Sequence, residues 1–98
     1  MGTLVTERNS FALFVTFAED SFTLRLDDGR SLSVPLAWYP RLLHGTLAER
    51  ENYELIGEGE GIHWPELDDE DISVEGLLAG RRSAESAASL VAWRRKRP

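Results

Sequence analysis

FTLRLDDGRSLSV, Phe22 to Val34, is the stretch on which the fold turns. Phe22, Leu24 and Leu26 alternate with Thr23 and Arg25, and beyond Gly29 the apolar Leu32 and Val34 alternate with Ser31 and Ser33. A period of two sends successive side chains to opposite faces, so this is a pair of half-buried strands joined by a turn. The faces also set the register. A two-residue loop at Asp28-Gly29 would place Leu26 opposite Ser31, apolar against polar. A three-residue loop, Asp27-Asp28-Gly29 with Gly29 left-handed, pairs Leu24 with Leu32 and Phe22 with Val34. A slip of one residue turns a whole strand inside out, so the three-residue loop is the expected one.

Upstream, Phe11, Leu13, Val15 and Phe17 share one face of an extended segment and Phe14 and Thr16 take the other, with Glu19-Asp20-Ser21 as the following turn. The three segments make an antiparallel meander with one face inward. Downstream, Pro35 limits further pairing, and Pro40 suits the first turn of a short helix that Gly45 stops. Thr46-Leu-Ala-Glu49 has the form of a capping box for a second helix to about Asn52. Tyr53 to Ile56 reads as a fourth strand. Gly57, Gly59 and Gly61 break it and allow a reversal into Ile62-His63-Trp64, which Pro65 ends.

Ser73 caps a further helix, with Glu75 near its positive end, Gly80 closing it, and Ile72 and Leu77 placed as a hydrophobic staple. Gly76 inside that helix costs about 1 kcal/mol against Ala, which points to close packing on a neighbour. A last helix is expected from Ser83 to about Lys96, with Ala84, Ala87, Ala88, Leu90, Val91 and Trp93 as a weak apolar stripe and a cationic end that suits the dipole. The expected fold class is α+β: a small antiparallel meander with short helices on one side and a C-terminal amphipathic helix. Three parts are expected: a flexible N-terminus over 1–10, the α+β domain over 11–80, and a basic C-terminal helix and tail over 81–98.

Ninety-eight residues make one domain with a modest core, to which three Trp, four Phe and two Tyr supply the bulk. The chain has no cysteine, hence no disulfide framework, thiolate site or thiol nucleophile. Its N-terminus lacks a basic region followed by an apolar one, and a cytoplasmic location is the expectation. Charge is unevenly placed. Residues 1–80 carry a net −11, while 81–98 carry Arg81, Arg82, Arg94, Arg95, Lys96 and Arg97 against Glu85 alone. An acidic body with a basic tail can fold one on the other or offer the tail to an acidic partner.

Residue types that do chemistry are present but do not assemble into a motif. Glu66, Asp68, Asp69, Glu70 and Asp71 offer carboxylates for a hard cation, yet lack the spacing and glycine of an EF-hand loop. Their plainer role is negative charge ahead of a helix N-terminus. His63, near Glu60, Glu66 and Asp68 in sequence, is a candidate base or ligand. On a strand it points opposite to Ile62 and Trp64, which favours a hydrogen-bonding surface histidine. Gly57-Glu-Gly-Glu-Gly61 lacks the Lys-Ser/Thr of a phosphate loop, and its glutamates repel phosphate. Trp38, Tyr39, His63 and Trp64 form a candidate pocket, with core packing as the plainer role for the aromatics. No catalytic residue, metal or cofactor is assigned.

Three blocks, taken in order, carry a resemblance: the Asp28-Gly29-Arg30 hairpin, VPLAWYPRLL from Val34 to Leu43, and GEGIHWPELDDEDISVEGLL from Gly59 to Leu78 closed by Ala79-Gly80. From Phe22 to Gly80 the chain resembles the small prokaryotic family known as domain of unknown function 2442. The resemblance implies a compact α+β fold and no established catalytic residues. Its members are often encoded beside another small protein, in pairs that resemble toxin–antitoxin modules.

The function expected is a non-enzymatic interaction module, adaptor- or antitoxin-like, that binds a partner protein through Leu90, Trp93, Arg94 and Arg95. A homo-oligomer is compatible with it. The alternative is a nucleic-acid-binding regulator using Arg81, Arg82, Arg94, Arg95, Lys96 and Arg97 on phosphates and Trp93 on a base. Against this alternative stands the acidity of the body. A metal-assisted hydrolase built on His63 is the third and weakest expectation.

Overall fold

The computed structural model describes residues 10–67 and 70–97 of the chain. Three strands, β1 (Ala12–Phe17), β2 (Ser21–Leu26) and β3 (Ser31–Pro35), form an antiparallel sheet in that order. The hairpin adopts the expected register, Leu24 opposite Leu32 and Phe22 opposite Val34. Leu26 N donates to Arg30 O at 2.8 Å, Gly29 N to Leu26 O at 3.1 Å, and Gly29 sits at φ +95°. Arg30 Nε donates to Asp28 Oδ2 at 2.9 Å, and Ser10 bonds both side chains, so the loop is tied at its tip. The flexible N-terminus expected for 1–10 lies, apart from Ser10, outside the described residues.

β1 departs from the simple alternation. Ala12 pairs with Leu26 and Phe14 with Arg25, so Leu13 is an extra residue, a β-bulge. The bulge shifts the inward set by one: Ala12, Val15 and Phe17 face the core, and Leu13 is 55% exposed rather than buried. Phe14 remains on the outer face, as expected, at 48% exposure.

A 3-10 turn (Leu36–Trp38) leads to α1 (Pro40–His44) and α2 (Leu47–Glu51). Pro40 opens α1, where a missing N–H costs nothing. Thr46 and Glu49 complete the capping box of α2, Thr46 N donating to Glu49 Oε1 at 2.8 Å and Glu49 N to Thr46 Oγ1 at 3.1 Å. The chain then makes a second antiparallel sheet from β4 (Glu54–Ile56), β5 (Gly61–Trp64) and β6 (Glu70–Ser73). Two small sheets thus replace the one expected. β6 is the strand that the acidic run conceals. Its backbone pairs with β5, Ile72 opposite Ile62, although of its four residues Ile72 alone is apolar. Asp68 and Asp69 lie outside the described residues.

Ser73 caps α3 (Val74–Leu78) through Gly76 N at 2.9 Å, and Ile72 and Leu77 are both buried, as the staple requires. Arg81 N returns to Gly76 O at 2.9 Å past Gly80 at φ +79°, which ends the helix. The last helix, α4 (Ala87–Lys96), begins later than the sequence suggests. Ser86, not Ser83, is its cap, accepting from Ser89 N at 3.0 Å, and residues 81–86 are an irregular connection.

Trp64 joins the two sheets. It is fully buried and meets Phe17 and Phe22 edge-on, at 6.5 and 6.1 Å between ring centroids. Its Nε1 donates to Arg50 O at 2.7 Å, which removes the cost of burying an indole N–H. Two further contacts lock β1 onto the β4 region. Val15 N donates to Tyr53 Oη at 3.0 Å, and Gly59 lies so close to Ala12 that a Cβ there would run into the Ala12 carbonyl oxygen. No helix among the described residues is long and apolar enough to cross a membrane.

Candidate functional site

The residues expected to form one pocket are divided among different environments. Trp64 is core. Tyr39 is buried, its hydroxyl donating to Arg81 O at 2.7 Å. Trp38 is half-buried beneath the Arg82 guanidinium, 4.4 Å from its ring centroid. His63 faces away from Ile62 and Trp64, as its strand position implies, and its Nδ1 lies 2.5 Å from Asp71 Oδ1 across the β5–β6 pair. Among the described residues, the carboxylate of Asp71 meets it, a strand partner that β6 brings there. Among the described residues no three His, Asp or Glu side chains gather closely enough to hold a metal ion.

The C-terminal helix is docked on the acidic body, and Trp93 is the anchor. That ring is 4% exposed, with the Arg41 and Arg97 guanidiniums 5.2 and 4.6 Å from its centroid. Leu90 packs half-buried beside the core, while Arg94, Arg95 and Lys96 are exposed. Of the four residues expected to meet a partner, Trp93 and Leu90 therefore serve the fold, and stacking of Trp93 on a base is not available in this arrangement.

Two ion pairs hold the helix and its connection. Arg41 makes a two-pronged contact with Glu85, Nε to Oε1 and Nη2 to Oε2, both at 2.7 Å. Arg97 Nη2 reaches Glu49 Oε1 at 2.5 Å, the same oxygen that closes the α2 capping box. Each arginine holds its carboxyl below the ordinary glutamate value of 4.5, by direct hydrogen bonding first. His44 at the end of α1 is pushed below 6.5, by partial desolvation and then by the charges of Arg94 and Arg97.

Two surfaces remain as candidates. The first is apolar and centres on the β1 bulge. Leu13 and Phe14 are exposed there, between the points where Tyr53 and Gly59 fasten β1 to the β4 region, and Leu55 and Ile56 of β4 are 38% and 44% exposed. Sequence reading misses it because simple alternation buries Leu13. The signal is the run Phe11-Ala-Leu-Phe-Val15, apolar at every position, which no one-sided strand needs. The second is a cleft of about 200 Å³ lined by Tyr39, Asp71, Ser73, Gly76 and residues 81–84.

A family model matches residues 13–83. The chain belongs to the family described as Protein of unknown function (DUF2442). A crystal structure of a protein of unknown function from Rhodospirillum rubrum ATCC 11170, at 2.75 Å resolution, is similar in fold, with a TM-score of 0.68. The two chains are 24% identical over 85% of this chain and 99% of the other, an identity at which the likeness speaks to the fold. No curated protein matches the sequence. The family membership and the α+β architecture thus agree with the resemblance of the three sequence blocks.

Proposed function

We propose that this member of the family is a non-enzymatic interaction module of the cytoplasm, adaptor- or antitoxin-like, that binds a partner protein. The observation that supports this reading is the exposure of Leu13 and Phe14, adjacent large apolar residues at the β1 bulge, with Leu55 and Ile56 of β4 also exposed. Keeping a large apolar side chain in water forgoes about 1.5–3 kcal/mol of burial. Grouped apolar exposure of this kind is typical of association surfaces. A second reading, nucleic-acid binding, draws support from Arg94, Arg95 and Lys96, which make no ion pair with any described residue. Binding by these charges falls steeply with salt.

The test is a nuclease-treated capture from the native host with four baits: wild type, Phe14→Ser, Leu13→Ser, and Arg94→Glu with Arg95→Glu. One stoichiometric protein, lost with the first two variants and kept with the third, is the expected result. Nucleic acid recovered without nuclease and lost only with the charge reversal would replace this reading with the second. Truncation at Gly80 is unsuitable, since it removes Trp93 from the core.

A further inference from the structure

We propose that the cleft between β6–α3 and residues 81–84 is a binding site for a phosphate monoester carried on a small molecule. This inference does not rest on the protein-association reading. Arg81 and Arg82 both line the cleft, and neither is ion-paired with a described residue in a chain that carries 17 acids. Among its described lining residues the carboxylate is that of Asp71, whose Oδ1 lies 2.5 Å from His63 Nδ1. Asp71 opposes an anion, and its engagement with His63 leaves the arginine donors to an external ligand.

The two arginines are also held in place. Arg81 N donates to Gly76 O at 2.9 Å, Arg81 O accepts from Tyr39 Oη at 2.7 Å, and Ser83 N donates to Trp38 O at 3.0 Å. Three hydrogen bonds therefore fix the backbone that carries both side chains. The Arg82 guanidinium rests on Trp38, 4.4 Å from the ring centroid, and the stem of Arg81 lies over Gly76, where its Cδ is 3.7 Å from the place a Cβ would take. A Cβ at position 76 would meet that stem at ordinary contact distance but would collide with the capping Ser73 Oγ, 2.8 Å away, so the mid-helix glycine makes room for the cap. Ser73 and Ser83 add hydroxyls at the walls, while Ile72 and Ala84 add apolar surface.

Two guanidiniums on a fixed backbone match a dianion better than a single carboxylate, and planar N–H forks suit phosphate oxygens. The volume equals that of about six or seven waters at about 30 Å³ each, enough for one phosphate and a short stem and too small for a drug-sized ligand.

The test is amide NMR of the full chain at constant ionic strength, titrated separately with inorganic phosphate, O-phosphoserine and acetate. Saturable shifts at Ser73, Gly76 and residues 81–84 are expected with both phosphates, the monoester binding the tighter. Arg81→Gln and Arg82→Gln, both surface changes, should each weaken binding at least tenfold, while Arg94→Gln with Arg95→Gln leaves it unchanged. Shifts centred on α4, affinity indifferent to the Arg81 and Arg82 variants, acetate equal to phosphate, or no saturable shift at millimolar phosphate would each overturn the assignment.

Discussion

Gly59 and Gly29 both have positive φ, at +107° and +95°, and they separate two reasons for a glycine. At Gly29 nothing lies within 4 Å of the place a Cβ would take, so Gly29→Ala meets backbone strain alone. About 1–2 kcal/mol of destabilisation is expected there. Gly59 also packs its bare Cα on the Ala12 backbone, so Gly59→Ala adds a collision at the joint between the sheets. About 3 kcal/mol or more is expected, as strain and overpacking combine. Urea melts of the two variants check this, and equal midpoints would contradict it. The turn chemistry of Gly29 is legible in the sequence because the hairpin register demands it. The contact of Gly59 is not, because it depends on a segment more than forty positions away in the chain. Leu13 escapes for a related reason: an alternating pattern cannot announce the one residue that a bulge adds.

At the level of elements, capping patterns are the reliable part of the sequence. Thr46, Ser73 and Gly80 act within a few residues of themselves, where local chemistry decides. β6 escapes because carboxylates make poor strand formers and the pairing with β5 overrides that preference. The docking of α4 escapes too, since Ser83 looks as good a cap as Ser86 and the connection is fixed by contacts distant in sequence, Tyr39 with Arg81, Trp38 with Ser83 and Arg41 with Glu85.

Trp93→Ala should cost about 3–5 kcal/mol, the range for a large aromatic removed from a core. Arg41→Ala leaves Glu85, 7% exposed at its side chain, without its partner and should cost about 3 kcal/mol. Amide exchange of α4 reads both, and protection equal to wild type in either variant would refute the docking.

Acid should loosen the same helix. Glu49 and Glu85 have lowered folded values, so their contribution is full above the ordinary 4.5 and is lost as pH falls below it through those values. His44, also lowered, resists protonation in the fold, so stability begins to decline as pH falls below 6.5. All three groups act in one direction. Exchange protection of α4 should therefore fall from pH 6.5 downward, most steeply below 4.5, and a rise over that interval would contradict the assignment.

Over the whole molecule, the charge asymmetry of the sequence is resolved by folding. Part of the basic tail is spent on the body, Arg97 on Glu49 and Arg82 on Trp38, while Arg94, Arg95 and Lys96 stay exposed on α4. Composition leaves two outcomes open and cannot choose, because the choice rests on where Glu49 and Arg41 stand in space. The family membership and the fold agree between sequence and structure, whereas the surface proposed for a partner is β1 and β4 and not the helix. The most direct measurement of that proposal is calorimetric titration of the captured partner into wild type and Phe14→Ser at two salt concentrations and several temperatures. The account predicts a negative heat-capacity change from apolar burial, at least tenfold weaker binding for Phe14→Ser, and little dependence on salt. Affinity that collapses with salt and ignores Phe14→Ser would contradict it, and would move the interface to Arg94, Arg95 and Lys96.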